Sequence, residues 1–424
     1  MPHDAHPTTP TGPARSGAPL PSERARAPAR GRGRGRPRPP GGDRRPPAAQ
    51  HRAVRRGRAR RGVRRDRCRL RRRVARRGPV PEGAVILRLR QATPPDRVQA
   101  LRERLERAGL RTVLSSEPSR PIVAVVDKVD ADLARELAAD DAVEEIVEPR
   151  GDWRQVHRAF RECPSTVQVG DVSVGGGAVV VIAGPCSVEG RELMLEVAQR
   201  VNDAGAHILR GGAFKPRTSP YAFQGLGVEG LRQLKDAGEA VGLPVVSEIM
   251  DAAEVDAFVD HDIDCLQIGA RNMQNFTLLK AVARAGRAVL LKRGLSATID
   301  EWLHAAEYIA AGGCERIILC ERGIRTFETA TRNTLDLTVL PLLREWTHLP
   351  IIVDPAHAAG IARLIPPLSR ASVAAGADGI AVEVHPHPEL ARSDGPQALL
   401  PSELAGLVAD ARIQAAVTGR VFHA

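Results

Sequence analysis

The sequence predicts an α/β protein built on an eight-stranded (β/α)8 barrel, with a smaller α+β unit ahead of it and an Arg/Pro-rich tail ahead of both. Three observations predict this. Eight short apolar segments, many of them β-branched, recur between residues 179 and 384 and alternate with amphipathic stretches such as 192–204 and 299–311; this is the pattern of parallel βα units buried on both faces. Every one of the eight carries a polar residue in or just beyond its last position, as expected where active sites gather at the C-terminal ends of barrel strands. The third observation is a break in composition near residue 80.

Residues 1–80 hold 25 Arg, no Lys and only four acids (Asp4, Glu23, Asp43, Asp66), a charge of +21, whereas the other 344 residues carry 37 bases and 46 acids, or −9. With 13 Pro and no aromatic residue, the segment lacks the apolar surface that would offset the entropy of ordering it, so a disordered tail is expected. A translation start assigned too far upstream would give the same composition. Its Arg runs could neutralise nucleic-acid phosphates, but no aromatic side chain is interleaved to stack bases. An Arg-rich nucleic-acid-binding protein is therefore kept only as the alternative of another class. No run of about 18 uncharged apolar residues and no compact signal-peptide core is present, which points to a cytoplasmic protein without a membrane partner. Six cysteines with no CxxC pair do not resemble a disulfide or zinc-finger framework.

From residue 84 the chain reads as a strand (84–90), a helix (98–105), two strands (111–114 and 121–126) parted by a turn at 116–119, a helix (130–137) and a strand (143–147). That order, βαββαβ, is the ferredoxin-like split motif. A domain of residues 84–150 has a thin core and is expected to lean on a partner domain or a second subunit. The third domain, 151–424, opens with a short hairpin at 167–174. Its barrel strands are expected at 179–183, 207–210, 245–248, 265–268, 288–292, 316–320, 351–354 and 379–384. A doubly wound open sheet is the runner-up. Gly225-Leu-Gly227-Val-Glu-Gly230 matches a dinucleotide fingerprint only literally, because a Pro-containing polar segment stands where that site needs a strand.

Two chemical groups collect at the strand ends. Cys186, His357, Glu383 and Asp394 follow strands one, seven and eight, neighbours once the barrel closes. Together they offer the sulfur, nitrogen and oxygen donors that suit one divalent transition metal. Each alone has a bland reading: a core cysteine, or a loop-bonding His or carboxylate. Asp354, His385 and His387 are substitutes for which second-layer roles fit better. The second group is Arg210, Lys215, Arg217, Arg271, Lys292 and Arg322, six cations at one mouth of a net acidic domain. One or two would be solvated loop cations; six repel each other unless anions occupy the site, which points to phosphate-bearing and carboxylate-bearing substrates.

The motifs Gly184-Pro-Cys186-Ser, Leu209-Arg-Gly-Gly-Ala-Phe-Lys-Pro-Arg-Thr-Ser219, Gln267-Ile-Gly-Ala-Arg-Asn272, Leu291-Lys-Arg-Gly294, Ile318-Leu-Cys-Glu-Arg-Gly-Ile-Arg325, Asp354-Pro-Ala-His357 and Glu383-Val-His-Pro386 occur in this order. Together they resemble 3-deoxy-D-arabino-heptulosonate 7-phosphate (DAHP) synthase, type I, of the subgroup with an N-terminal ferredoxin-like domain on a TIM barrel. The resemblance spans residues 84 to about 412. It implies condensation of phosphoenolpyruvate (PEP) with erythrose 4-phosphate, the first step of the shikimate pathway. Carried over by motif, Cys186, His357, Glu383 and Asp394 would hold one divalent metal of the Mn, Fe, Co or Zn type. Arg271, Lys292 and Arg322 would hold the PEP phosphate, Arg210 and Lys215 its carboxylate, and Arg217 with Thr218 the sugar phosphate. Lys215 is the candidate proton donor, with a pKa that nearby cations and metal would lower, and Glu248 and a PEP phosphate oxygen are both open as the water-activating base. Ala356 replaces a Ser common in the family motif. The resemblance also implies a homo-oligomer and a Tyr or Phe effector acting through the small domain. The competing enzyme is 3-deoxy-D-manno-octulosonate 8-phosphate synthase, which uses arabinose 5-phosphate; Lys215-Pro-Arg-Thr218 resembles the four-carbon-sugar version of the aldose segment.

Overall fold

The computed structural model describes residues 83–117, 119–217 and 219–423; the expectations placed on residues 1–80 lie outside them. The described chain begins with β1 (Gly83–Leu89), α1 (Pro95–Arg107), β2 (Thr112–Leu114), β3 (Ile122–Val129), α2 (Ala131–Ala139) and β4 (Val143–Val147). The four strands form one antiparallel sheet in the order β2-β3-β1-β4. Strand periodicity of two divides β1 between two cores. Val85, Leu87 and Leu89 pack with Val98, Leu101 and Leu105 of α1 and Leu137 of α2. Ile86 faces the other way, with Ile122 and Ala124, against Phe160. Phe160 belongs to the segment leading to the barrel, so the thin core leans on this chain's own following residues.

That segment is bonded to the barrel at several points. Trp153 Nε1 donates to Asp300 Oδ1 (2.9 Å), Glu307 accepts from the Gln155 and Val156 amides (3.0 Å each), and Thr347 Oγ1 donates to Val156 O (2.6 Å). A hairpin follows, β5 (Thr166–Val169) and β6 (Val172–Gly175). Its Val167, Val169, Val172 and Val174 pack against inward residues near the strand starts, such as Val180, Cys265 and Ala288, and so cover the N-terminal end of the barrel.

The barrel strands are β7 (Ala178–Gly184), β8 (Ile208–Arg210), β9 (Val245–Ile249), β10 (Cys265–Ile268), β11 (Ala288–Lys292), β12 (Ile317–Glu321), β13 (Ile351–Val353) and β14 (Gly379–Glu383). Each pairs in parallel with the next, and β14 pairs back onto β7 from Gly379↔Val180 to Glu383↔Gly184, which closes the barrel. The helices are α3 (Arg191–Asp203), α4 (Val228–Val241), α5 (Val255–Asp260), α6 (Phe276–Ala283), α7 (Ile299–Ala311), α8 (Val339–Trp346), α9 (Pro355–Ala359), α10 (Ile365–Ala374) and α11 (Pro401–Val417). A last strand, β15 (Val421–Phe422), pairs with the start of β7. In α7 the Thr298 hydroxyl and the Glu301 carboxylate satisfy each other's backbone N–H groups, a sequence-encoded start.

The glycine decoy runs from a loop into α4, with Gly227 at the N-cap and a positive φ of 62°. β13 stops at Val353, one residue short of the expected strand, because Asp354 turns out of it to cap α9 and its side chain accepts the His357 amide. No helix among the described residues is long and apolar enough to cross a membrane.

Candidate active site

The four candidate ligands converge at the C-terminal mouth. Cys186 follows β7, His357 sits in α9 after β13, Glu383 ends β14, and Asp394 lies in the loop beyond it. One ligand atom from each falls within 4.8 Å of the others. Cys186 Sγ donates to Asp394 Oδ2 (3.1 Å), and His357 Nε2 lies 3.4 Å from Glu383 Oε1. Asp394 adopts a left-handed backbone (φ 52°), unusual for a residue with a side chain and a pointer to function.

The donor set suits a divalent cation on three counts. It combines sulfur, nitrogen and carboxylate oxygens at metal-binding spacing. Glu383 Oε1 is buried yet makes no hydrogen bond. Burial, then the neighbouring Glu383 carboxylate, push the Cys186 thiol up to about 12, so the protein's own charges leave it protonated and a bound cation is what would favour the thiolate.

Asp354 binds the two chemical groups together. Its Oδ2 accepts from Lys292 Nζ (2.6 Å) and lies 2.8 Å from His357 Nδ1. Burial opposes ionisation of Asp354, yet His357 and Lys292 beside it hold its carboxyl well below the usual range. Burial lowers the His357 pKa against the pull of Asp354 and Glu383. With that ring neutral, Lys292 and Arg210 are the cations that keep Asp354 ionised. This bond fixes His357 with Nδ1 protonated and Nε2 free to face Glu383.

Five of the six cations, Lys215, Arg217, Arg271, Lys292 and Arg322, line one cavity of about 420 Å³, into which His357, Asp394 and Glu248 also open. The sixth, Arg210, lies deeper, with Nη2 3.1 Å from Glu383 Oε1. Lys215 Nζ donates to the Cys186 carbonyl and to its Sγ (3.1 Å each). Burial alone would lower the Lys215 pKa, but its acidic neighbours, Glu248 and Glu383 among them, outweigh it and raise the pKa. Arg210 beside it acts in the lowering direction, but the carboxylates prevail. Glu248 comes so close to Gly269 that a methyl group there would meet its Oε1 at 1.9 Å, so a larger residue would have to push the carboxylate aside. Thr218 lies outside the described residues. His387 is exposed and pairs with Glu389, and His385 Nε2 lies 3.9 Å from Glu189 Oε2, so neither joins the four-residue cluster.

Arg325, Arg332 and Asn333 also line the cavity; none of them was among the expected site residues. Arg325 was quoted in a motif but not counted, and Arg332 sits in a polar loop whose position over α9 no periodicity reveals. The signal available was the length of that loop, residues 322–338, between β12 and α8. Conversely Arg293, next to Lys292, points away from the cavity and pairs with Glu321 and Asp336 (3.0 Å each).

The sequence pattern of the family described as "DAHP synthetase I family" matches residues 155–417. The phospho-2-dehydro-3-deoxyheptonate aldolase of Thermotoga maritima is 44% identical over 315 residues, 74% of this chain and 93% of that protein. A 2-dehydro-3-deoxyphosphooctonate aldolase of Syntrophotalea carbinolica is 35% identical over 255 residues, 56% of this chain and 91% of that protein. The crystal structure of the Thermotoga maritima DAHP synthase superposes with a TM-score of 0.64 at 42% identity, covering 80% of this chain and 100% of that one. A truncated form of 3-deoxy-D-arabino-heptulosonate 7-phosphate synthase from the same organism gives 0.60 at 47% identity, covering 63% and 98%. The heptulosonate enzyme matches more of this chain, at higher identity, than the octulosonate enzyme does, and on these matches the chain belongs to the DAHP synthetase I family.

Proposed function

We propose that the 420 Å³ mouth cavity is where this enzyme condenses PEP with erythrose 4-phosphate to give DAHP and phosphate. The observation that carries the reading is the convergence of phosphate-binding cations with a four-donor metal cluster in one cavity. Arg271, Lys292 and Arg322 hold the PEP phosphate, Arg210 and Lys215 face its carboxylate, and Arg217 with Thr218 takes the sugar phosphate. Cys186, His357, Glu383 and Asp394 would hold one divalent metal ion, which when bound supplies Lewis acidity toward the aldehyde oxygen.

In the reaction a bond forms between C3 of PEP and the aldehyde carbon, water adds at C2, and phosphate leaves by C–O cleavage. Lys215 supplies the proton to the aldehyde oxygen as it becomes a hydroxyl. Its raised pKa keeps it protonated and ready to donate until substrate arrives. The water proton goes to Glu248, which lines the same cavity, or to an oxygen of the PEP phosphate. Crowding by the two anionic substrates explains why so many cations are needed in one low-dielectric site. The test is product identification after offering PEP with erythrose 4-phosphate or with arabinose 5-phosphate. Only the first should yield the heptulosonate; an octulosonate from the second at equal rate overturns the assignment.

For the rest of the chain we propose three domains: the tail to residue 80, a ferredoxin-like unit over 84–150, and the barrel over 151–424. The ferredoxin-like unit serves as an assembly and effector-binding module for tyrosine or phenylalanine in a cytoplasmic homo-oligomer. The sheet order and the two helices on one face support it. Inhibition should appear in protein starting near residue 81 and vanish in protein starting near residue 152.

A further inference from the structure

We infer that Arg332, with Asn333 and Gln397, is a positioning clasp that holds three of the four candidate metal ligands in register. The inference rests on the metal-site reading above and adds to it the residues that shape the site. Arg332 Nη1 donates to Asp394 Oδ1 (3.0 Å) and to Gln397 Oε1 (2.8 Å). Gln397 in turn donates through Nε2 to Glu383 Oε2 (2.5 Å). One guanidinium thus reaches one candidate ligand, Asp394, directly and a second, Glu383, through a buried amide. Asn333 completes the hold: its Nδ2 donates to His357 O (2.9 Å), and its amide donates to Ala358 O (2.8 Å).

The backbone is built to bring this loop down onto α9. The Arg332 amide donates to Ala359 O (3.0 Å), and an antiparallel bridge between Ile324 and Thr334 closes the base of the loop. Gly360 ends α9 in a left-handed conformation (φ 69°), and a Cβ there would meet Arg332 Cβ at 2.7 Å. Only glycine at 360 allows the contact.

Chemistry decides why a clasp is needed here. Asp394 is the ligand held in a strained left-handed backbone on a loop, and Glu383 leaves Oε1 without a hydrogen bond. Arg332 ties up Asp394 Oδ1 and leaves Oδ2 facing Cys186. Gln397 ties up Glu383 Oε2 and leaves Oε1 facing His357. Each carboxylate therefore presents one oxygen to the centre and anchors the other, the division of labour expected of groups that orient ligands without binding the ion.

The experiment is a Co²⁺ titration of chelator-stripped full-length protein, read by the thiolate-to-cobalt absorption band and the d–d bands. Wild type should bind with a band that Cys186→Ser removes. Arg332→Ala should weaken Co²⁺ binding about 10- to 100-fold and shift the d–d bands, with the melting temperature of the stripped protein little changed. Arg332→Lys, which keeps a donor within reach of Asp394, should recover most of the affinity and the band position. Wild-type affinity and spectrum in Arg332→Ala would overturn the clasp while leaving the metal site standing. Equal loss in the Ala and Lys variants would overturn it too, as would loss of binding only in step with loss of fold. Absence of the band from wild type would instead overturn the metal-site reading, and the clasp with it.

Discussion

At the C-terminal mouth of the barrel, Glu383, Asp354 and Arg210 lie buried beside Cys186 and His357; at the N-terminal end, His207 and His348 are buried almost as fully. Both ends therefore carry titratable groups far from their ordinary pKa. The difference lies in their hydrogen bonds. His348 bonds Gln155 O (2.7 Å) and Ser165 Oγ (2.8 Å), and His207 bonds Val181 N (2.8 Å) and His423 O (3.2 Å), so both rings use both nitrogens. At the mouth, Arg210 Nη1 and His385 Nε2 are buried without a hydrogen bond, and Glu383 Oε1 lacks one too although Arg210 Nη2 and His357 Nε2 lie 3.1 Å and 3.4 Å from it as charge neighbours. A perturbed pKa by itself marks burial; a perturbed pKa beside unused bonding capacity marks a site built for something else to bind.

The comparison can be broken first at the mouth. Lys292→Ala removes a proposed phosphate contact and strands the buried Asp354 carboxylate, and kcat/KM for PEP should fall about 10³-fold, the scale of a lost buried charge pair. Steady-state kinetics with PEP varied checks this, and a change below tenfold would separate Lys292 from the phosphate site. Asp354→Asn should cost less. It keeps the shape but weakens the hold on His357 Nδ1, so metal affinity should drop about 10- to 100-fold, measured by competition with a chromophoric chelator.

At the other end the expected effect is on stability. Burial lowers His348 to about 3 and His157 and His207 to about 4. The unfolded chain therefore binds protons below about pH 6.5 that the folded chain refuses, and stability must fall as pH falls from there toward 4. For His348 alone the loss at pH 5 is about 2 kcal/mol. Urea unfolding at pH 7 and pH 5 should show the loss, and His348→Gln should flatten it while leaving KM for PEP unchanged at pH 7. The smallest effect is expected from deleting residues 1–80: kcat and melting temperature should stay within error, because a segment of that composition has little apolar surface to contribute.

Much of this was legible in the sequence because the barrel repeats its signal. Val143–Val147 and Ile299–Ala311 fall where the patterns put them, since strand and helix periods survive in an amphipathic chain. The four converging ligands were legible for a topological reason: closure of strand eight onto strand one makes Cys186 and Glu383 neighbours. What stayed hidden depends on direction. Arg293 and Lys292 are adjacent in the sequence, yet strand alternation sends one into the cavity and the other to Glu321. The direction of the Lys215 shift is hidden because it depends on Glu248 and Glu383, carboxylates from two other strands. Arg332 was missed because a loop residue acquires its partners only in three dimensions.

On the proposed reading, catalysis resides in the mouth cluster and depends on a metal ion held there. The most direct measurement is DAHP formation from PEP and erythrose 4-phosphate by one preparation of full-length protein before chelation, after it, and after adding back Mn²⁺, with Cys186→Ala carried through the same steps. Turnover should vanish on chelation and return with the ion in wild type, and Cys186→Ala should stay inactive throughout with an unchanged melting temperature. Full turnover in the stripped wild-type protein, or in Cys186→Ala, would contradict the account.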